Sequence, residues 1–342
     1  MSKIDTLREL FLFNDWGRDR LLAAGRPLPD SKLDQPFDMG PGSLRKTLQH
    51  LWSVEQVWLE RWLGNSNPDY AALSADRTLD QLGSNWKATA AERNALIDRL
   101  AEAGLSRMVS FTTRTGEAYS LALGDLMLHV VMHGVHHRAQ VTNMLRHVGA
   151  ELPKYGADYI FMRFEMSTAT PSAPPPTLDL HTIRRCFAHA DWCNHAVLKA
   201  CATLADAQLD RKFEMGLGSL RATMGHIPDA ENWWYGNWTV GPEHLFPDSK
   251  GLSLADVATQ YSIAAARRNQ YISTLTDADL TRIVRAMPRP GVIREFPLGV
   301  AMLQVAMHGN HHRAQALNML RHCGAELPRL DYIIMVRDEG SK

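Results

Sequence analysis

The chain has 342 residues, of which 45% are hydrophobic and 22% are charged, a globular composition with room for two domains that each bury a core. No stretch approaches the roughly 18 uninterrupted apolar residues of a membrane span, so a membrane protein is not expected. The 37 basic residues balance 37 acidic ones without any Lys/Arg run, which argues against nucleic acid as a partner.

The first predicted helix covers residues 4–24. Apolar residues recur there at helical spacing, and Gly25 followed by Pro27 ends the run. Because charged residues such as Arg8 interrupt the apolar positions, the segment lacks the continuous apolar stretch of a secretory signal. We therefore expect a cytoplasmic protein.

Three more helices are predicted before the middle of the chain, over residues 43–64, 79–104 and 121–147. Between the last two of them, β-branched and aromatic residues flank Thr115–Gly116, which predicts a short β-hairpin. Four long helices favour an antiparallel bundle, and the interiors of such bundles commonly hold metal sites.

The second half of the chain repeats the first. The segment TLRELFLFNDWGRDRLLAA from Thr6 returns as TIRRCFAHADWCNHAVLKA from Thr182, and MHGVHHRAQVTNMLRHVGAELP from Met132 returns as MHGNHHRAQALNMLRHCGAELP from Met307. Such self-similarity indicates one fold present twice. We predict an all-α protein of two tandem antiparallel four-helix bundles, with a short β-hairpin before the last helix of the first. In the second copy residues 287–296 replace that hairpin.

The two copies are predicted to meet at a linker. The first domain covers residues 1–166 and the second covers residues 178–342. Between them, residues 167–177 read STATPSAPPPT, and this proline, serine and alanine content is typical of an extended, exposed tether.

Histidines on two helices of each copy form a candidate metal site. On the fourth helix His133 and His137 are four residues apart, so both rings project from one face. His50 on the second helix is the candidate third ligand, since a catalytic zinc site usually has three protein ligands and an open position. Neutral imidazoles also suit nickel, copper or iron. The whole set recurs, so the predicted metal ligands are His50, His133, His137, His226, His308 and His312.

Other polar residues on these helices are predicted to have supporting roles. His129 has Gln304 as its counterpart in the second copy, so we assign it to the structure around the site. His136 also recurs in the second copy. It lies next to the candidate ligand His137 and points about 100° away from it around the helix, which favours a supporting or surface role. Glu55 and Glu231 lie on a different part of the second helix from its histidine, which predicts a bundle salt bridge rather than a general base.

Two further polar residues lie within a turn of the last histidine of each set. They are Arg138 and Gln140 in the first copy, matched by Arg313 and Gln315 in the second. One interpretation is that they bind an anion or the substrate and so take part in catalysis. The other is a helix-capping or interhelical salt-bridge role, and the sequence favours neither.

At these motifs the chain resembles the DinB-like superfamily of bacterial damage-inducible and thiol-transferase proteins. The shared signs are NDW or ADW on the first helix, GSLRKTLQH or GSLRATMGH on the second, and HGVHHRAQ or HGNHHRAQ on the fourth. The resemblance covers nearly all of both copies. It implies a divalent metal, zinc or nickel in most members, held by the histidines that match His50, His133 and His137. It also implies, for some relatives, a low-molecular-weight thiol such as bacillithiol or mycothiol as co-substrate.

Two functional hypotheses follow from the residues and the resemblance. The first is a metal-dependent enzyme that activates a thiol or water for transfer, isomerisation or hydrolysis of a small-molecule substrate. The second is a non-catalytic metal-binding stress or interaction protein with a structural ion. Because Pro228 follows His226 by two residues and removes a backbone donor, we expect the first copy to be the active half. Many single-domain relatives form homodimers, which implies an intramolecular pseudo-dimer of the two halves and leaves a further homo-oligomer open.

Overall fold

A computed structural model describes residues 2–113, 116–152, 158–170, 174–242, 244–289 and 291–340. Within these ranges the chain is mostly helical, with one small two-stranded sheet in each repeat. No helix in them is long and apolar enough to cross a membrane.

Long helices joined by short helical and strand segments build the first repeat. In chain order the elements are α1 (Lys3–Gly25), α2 (Asp30–Leu33), α3 (Leu44–Trp62), α4 (Tyr70–Ser74), α5 (Leu79–Arg99), β1 (Met108–Thr112), β2 (Ala118–Ala122), α6 (Leu123–His147) and α7 (Tyr159–Ala169). The predicted third helix ends at Arg99 rather than at residue 104, because a separate 3-10 turn over Glu102–Ser106 leads into β1.

The second repeat follows the same order. Its elements are α8 (Leu180–Cys201), α9 (Asp206–Leu209), α10 (Leu220–Thr239), α11 (Leu254–Ser273), β3 (Ile283–Arg289), β4 (Val292–Pro297), α12 (Leu298–His322) and α13 (Tyr332–Gly340), with a 3-10 turn over Asp277–Thr281 before β3. The long helices α1, α3, α5 and α6, and their counterparts α8, α10, α11 and α12, form the two bundles. The predicted fold of tandem helical bundles is confirmed.

The hairpin predicted in the first repeat is present. Strands β1 and β2 are antiparallel, with Met108 opposite Ala122 and Thr112 opposite Ala118. Of the predicted turn, Thr115 lies outside the described residues. Because β2 continues to Ala122, helix α6 begins at Leu123, two residues later than the sequence suggests.

The second repeat also has a hairpin, which the sequence analysis misses. Strands β3 and β4 pair in the antiparallel sense, and their register shifts between Ala286 and Arg289. Pro288 lies inside this irregular stretch, and proline is tolerated in a sheet only at edges and bulges because it has no backbone donor. Pro288 therefore interrupts the sequence pattern that predicts a strand, but it does not prevent β3 and β4 from pairing.

A buried arginine ties three helices of the first bundle together. Arg93 on α5 is 0% exposed and donates to Asp15 Oδ2 on α1 at 2.6 Å and to Glu55 Oε1 on α3. Trp86 Nε1 donates to the other carboxylate oxygen of Glu55 at 2.7 Å. The salt bridge predicted for Glu55 is confirmed.

The second bundle has the same network. Arg268 on α11 donates to both carboxylate oxygens of Asp191 on α8, at 2.6 and 2.7 Å, and to Glu231 Oε1 on α10 at 2.9 Å. Its guanidinium lies over the ring of Phe187, with 4.4 Å from the central carbon to the ring centroid. The network fixes the position of α10, the helix that carries His226.

Packing groups the described residues into two compact units. One holds residues 2–6 with the described residues of 158–330, and the other holds the described residues of 7–152 with residues 331–340. Helix α7 packs against α12 in the first unit, and α13 packs against α6 in the second. Of the predicted linker, residues 167–169 end helix α7, whereas residues 171–173 lie outside the described residues.

Candidate metal centre

In the first repeat, α3 and α6 bring three histidines together. Helix α3 begins after Ser43, whose Oγ accepts a hydrogen bond from Lys46 N at 3.2 Å and caps the helix. Further along α3, His50 Nε2 lies 3.2 Å from Nε2 of His133 on α6. The ring of His137, one turn along α6, has its centroid 4.6 Å from that of His50. These are the three residues that the sequence singles out.

The second repeat assembles the matching set. His226 Nε2 on α10 lies 3.1 Å from His308 Nε2 on α12, and the ring centroids of His226 and His312 are 4.8 Å apart. Pro228 lies inside α10, which continues to Thr239. The proline therefore does not separate the histidines of the second copy.

The geometry of both sets fits a divalent ion held by imidazole nitrogens. The ligand nitrogens of each set lie within 4.8 Å of one another. Two nitrogens bound to a tetrahedral zinc ion at about 2.0–2.1 Å are roughly 3.3 Å apart. The two facing pairs, at 3.2 and 3.1 Å, are close to that separation. Among the residues that the structure describes, no cysteine or acidic side chain joins either set as a fourth ligand.

A glutamine on the same helix fixes one ring in each set. His137 Nδ1 lies 2.7 Å from Gln140 Oε1, and His312 Nδ1 lies 2.8 Å from Gln315 Oε1. Because the amide oxygen can only accept, Nδ1 carries the proton, and the unprotonated Nε2 remains for a metal. The amide nitrogen of Gln140 in turn contacts His136 Nε2 at 3.2 Å. His136 thus supports the glutamine, as its position beside the ligand suggests.

The loop before α3 approaches this glutamine because it carries glycine. Gly40 has a φ of +51°, and a Cβ there would lie 2.5 Å from Gln140 Oε1. Gly216 has a φ of +55°, and its Cβ would lie 3.1 Å from Gln315 Oε1. Both the backbone conformation and the lack of space favour glycine at these positions. The MGPG and MGLG segments therefore pack against the glutamines behind the histidines.

Burial favours the neutral form of two rings in each set. It lowers the pKa of His133 and of His137 well below the ordinary value, and the neighbouring imidazoles act in the same direction. Burial also lowers the pKa of His226 to about 4, with His308 adding to the effect, and it lowers that of His312 well below the usual range. Neutral imidazole is the form that binds a metal ion, so no proton has to be displaced from these four rings at neutral pH.

Arg138 lies behind the first site, inside the bundle. It is 4% exposed, donates to Asn14 Oδ1 and lies over the ring of Phe13 at 4.6 Å. Burial lowers its pKa to about 9, although Asp15 and Glu55 act in the opposite direction, so the guanidinium stays charged at neutral pH. Its Nη2 is buried without a hydrogen-bond partner among the described residues.

A small cavity adjoins this guanidinium. It measures about 20 Å³ and is lined by His133, Glu55 and Arg138 among others, which is room for one water molecule. In the second repeat Arg313 Nη1 donates to Asn194 Oδ1 at 3.0 Å, the same contact as in the first. Binding of an anion by either arginine stays a prediction.

The second site opens onto a much larger cavity. It measures about 920 Å³ and is lined by His226 together with residues of α9, of α10 and of the loops on either side of α10. The ring of Phe246 stacks on that of His226, with centroids 5.8 Å apart. Asp229 accepts hydrogen bonds from Ser249 N at 2.9 Å and from Ser249 Oγ at 2.6 Å, which holds the loop against the helix. A space of this size accommodates a small organic molecule.

Replacing Gln140 by leucine is expected to weaken metal binding at the first site by about 10–100-fold, the range typical of partners that orient a ligand. The leucine fills a similar volume but no longer accepts the Nδ1 proton of His137. Affinity would be measured by competition with a chromophoric chelator in a chain that also carries His226→Ala, so that one site remains. Gln56→Leu, which removes a glutamine bonded to Glu60 on the same bundle, is the control and should leave the affinity unchanged. An equal loss in both variants would refute the role of Gln140.

The sequence analysis assigns no role to two residues near the second site. Asp158 Oδ2 lies 3.1 Å from His308 Nδ1, and Gln304 Oε1 accepts a hydrogen bond from Ile160 N at 2.9 Å. Burial acts to raise the pKa of Asp158, but the neighbouring histidines, His308 first, lower it below the ordinary value. A signal exists, because the tripeptide DYI follows GAELP in both repeats, at Asp158 and again at Asp331.

Comparison with known proteins agrees with the repeat. The sequence model of the DinB family matches the chain twice, over residues 1–173 and 176–339. Protein DinB of Bacillus subtilis (strain 168) is 26% identical over 165 residues, which cover 45% of this chain and 93% of that protein. That alignment has about the length of one repeat. No solved structure matches the chain.

Proposed function

The chain belongs to the DinB family, and on that premise we propose that each three-histidine set binds a divalent ion, zinc or nickel, which takes part in a reaction of a small molecule. The number of ligands carries the proposal. In the described part of the chain each set offers three imidazoles and no fourth protein ligand. Structural zinc sites are almost always closed by four ligands, whereas catalytic sites keep one position open.

In this proposal the metal ion, the glutamine and the arginine of each site have different roles. A bound ion would supply Lewis acidity, which lowers the pKa of a thiol or a water molecule at the open position. Gln140 and Gln315 orient one histidine of each set through its Nδ1 proton. Arg138 and Arg313 would place a positive charge behind the histidines, which favours an anionic substrate.

We assign the substrate to the second copy rather than to the first. The cavity of about 920 Å³ beside His226 supports this assignment, because a small molecule there would have one of the ligands in its wall. Pro228, the reason to favour the first copy, leaves the second set assembled. The reaction is thiol transfer, isomerisation or hydrolysis, and a low-molecular-weight thiol is the proposed co-substrate.

Cobalt(II) loaded in place of the natural ion tests whether a thiol reaches the open position. Addition of 2-mercaptoethanol is expected to change the visible and near-ultraviolet absorbance of the cobalt-loaded protein, with saturation. Ethane-1,2-diol, in which a hydroxyl replaces the thiol, is the control. A spectrum that no thiol or other small ligand changes would mean that the coordination position is closed, and the enzymatic proposal would fail.

A structural ion is the competing function, because the ligands join α3 to α6 and α10 to α12. Thermal melting with and without a chelator separates the two. A catalytic ion predicts that chelation abolishes the thiol response of the protein while most of the fold survives. A structural ion predicts collapse of the helical signal when the metal is removed.

The partners and location stay predictions. We propose an intramolecular pseudo-dimer of the two halves, a further homo-oligomer and a cytoplasmic location. The balanced charge argues against nucleic acid. Retention of the protein on DNA at low salt, lost as salt rises, would contradict that expectation.

A further inference from the structure

A carboxylate from the segment after the first repeat contacts a histidine of the second set. Asp158 is the N-cap residue of α7, and its Oδ2 lies 3.1 Å from Nδ1 of His308. A histidine whose Nδ1 proton is donated to a carboxylate presents an unprotonated Nε2. Nε2 of His308 is the atom that faces His226 at 3.1 Å. The carboxylate therefore stands directly behind a candidate metal ligand.

Helix α12 holds this carboxylate in place. Gln304 is 4% exposed, and its Oε1 accepts a hydrogen bond from Ile160 N at 2.9 Å. This bond satisfies one of the free N–H groups in the first turn of α7. Tyr159 and Met162 of α7 are both 0% exposed, so apolar packing anchors the same turn. The docking of α7 therefore sets the position of Asp158, which is not an unrestrained surface residue.

The first copy differs at the matching positions. His129 stands where the second copy has Gln304, and it is buried. Burial lowers the pKa of His129, while the charge of Asp331, the counterpart of Asp158, acts to raise it. No hydrogen bond joins Asp331 to a histidine of the first set in the part of the chain that the structure describes. The described residues of the first copy therefore lack the hydrogen bond between carboxylate and candidate ligand that the second copy has.

We propose that Asp158 is a positioning residue of the second metal site and that, together with Gln304, it makes this site bind a divalent ion more tightly than the first. The inference rests on the proposed function, since it presumes that both sets bind metal. A carboxylate behind a histidine ligand fixes the ring orientation and raises its basicity, and loss of such a partner costs about 10–100-fold in metal affinity. Its negative charge also favours a nearby cation.

Full-length chains with one site removed provide the test. His50→Ala leaves the second site and His226→Ala leaves the first, and zinc and nickel affinities of each are measured by competition with a chromophoric chelator. We expect the second site to bind about 10–100-fold more tightly than the first. In the His50→Ala chain, Asp158→Asn and Gln304→His should each remove most of this difference, and Asp158→Glu should restore part of it. Asp331→Asn in the His226→Ala chain is the matched control and should change the affinity little.

Two further measurements distinguish positioning from a general loss of structure. The cobalt(II) absorption spectrum of the second site should shift in Asp158→Asn, while the melting temperature of the metal-free chain stays the same. Equal affinities of the two sites, or an Asp158→Asn chain with unchanged affinity and spectrum, would overturn the inference and leave the proposed function standing. Failure of both single-site chains to bind metal would instead reject the proposed function.

Discussion

A chain with His133→Ala is expected to bind one equivalent of divalent metal, and a chain with both His133→Ala and His308→Ala none, against two equivalents for the unaltered protein. Each set has three imidazoles and no fourth protein ligand among the described residues, so one removal leaves two. We expect the affinity of the altered site to fall by more than the roughly 100-fold that loss of an outer partner can cost. Elemental analysis after gel filtration, together with calorimetric titration, measures both quantities.

His195→Ala provides the matched control for these histidine variants. His195 is an exposed residue of α8 that belongs to neither set, so its removal should leave two equivalents bound. Binding of two equivalents by the His133→Ala chain would show that the ion is held elsewhere. Binding of no metal by the unaltered chain would refute the metal sites altogether.

Replacing Arg93 by methionine is expected to lower the free energy of unfolding of its bundle by about 3–5 kcal/mol, the usual result of leaving a buried charge unpaired. Arg93 is 0% exposed and bridges Asp15 and Glu55, whose carboxylates would lose their cation. Urea denaturation, followed by circular dichroism and by tryptophan fluorescence, measures the loss as a lower midpoint. Two probes are needed because the chain has two compact units that can unfold separately.

The surface pair of Arg26 and Asp80 provides the control for that loss. Its side chains are 50% and 86% exposed, so Arg26→Ala should cost less than about 1 kcal/mol. Adding Glu55→Gln and Asp15→Asn to Arg93→Met should recover part of the loss, because the carboxylates are then neutral. This second variant keeps the test usable if Arg93→Met alone does not fold. A midpoint for Arg93→Met within the range of the control would contradict the role of the network.

Helical periodicity and the internal repeat explain how much of the fold could be predicted. The apolar residues at helical spacing in α1, the glycine that ends α1 and the glycine that follows α6 are local features of the sequence, so they can be recognised without the structure. The second hairpin could not, because Pro288 interrupts the alternation on which strand prediction depends. The pairing of β3 with β4 depends on contacts between the two strands, and these cannot be predicted from the sequence of either strand alone.

Part of the candidate site could likewise be predicted from the sequence, and part could not. His133 and His137 share a helix face through their spacing alone, and the repeat of that spacing singles out His50 as the third member. Gln140 was found by its position, but its contact with Nδ1 of His137 depends on side-chain geometry. The salt bridge of Glu55 was predicted, whereas its partner Arg93 lies on another helix and becomes apparent only when the helices pack.

By itself, then, the sequence determined the duplicated helical fold and the two sets of three histidines. Both follow from residue spacings within single helices, and these spacings occur in each repeat. Only the tertiary structure decided that Asp158 stands behind His308, that α7 belongs to the unit of residues 158–330, and that His226 lines a large cavity. These features depend on how distant segments dock, and docking is set by the combined packing of many side chains rather than by the pattern of any one helix.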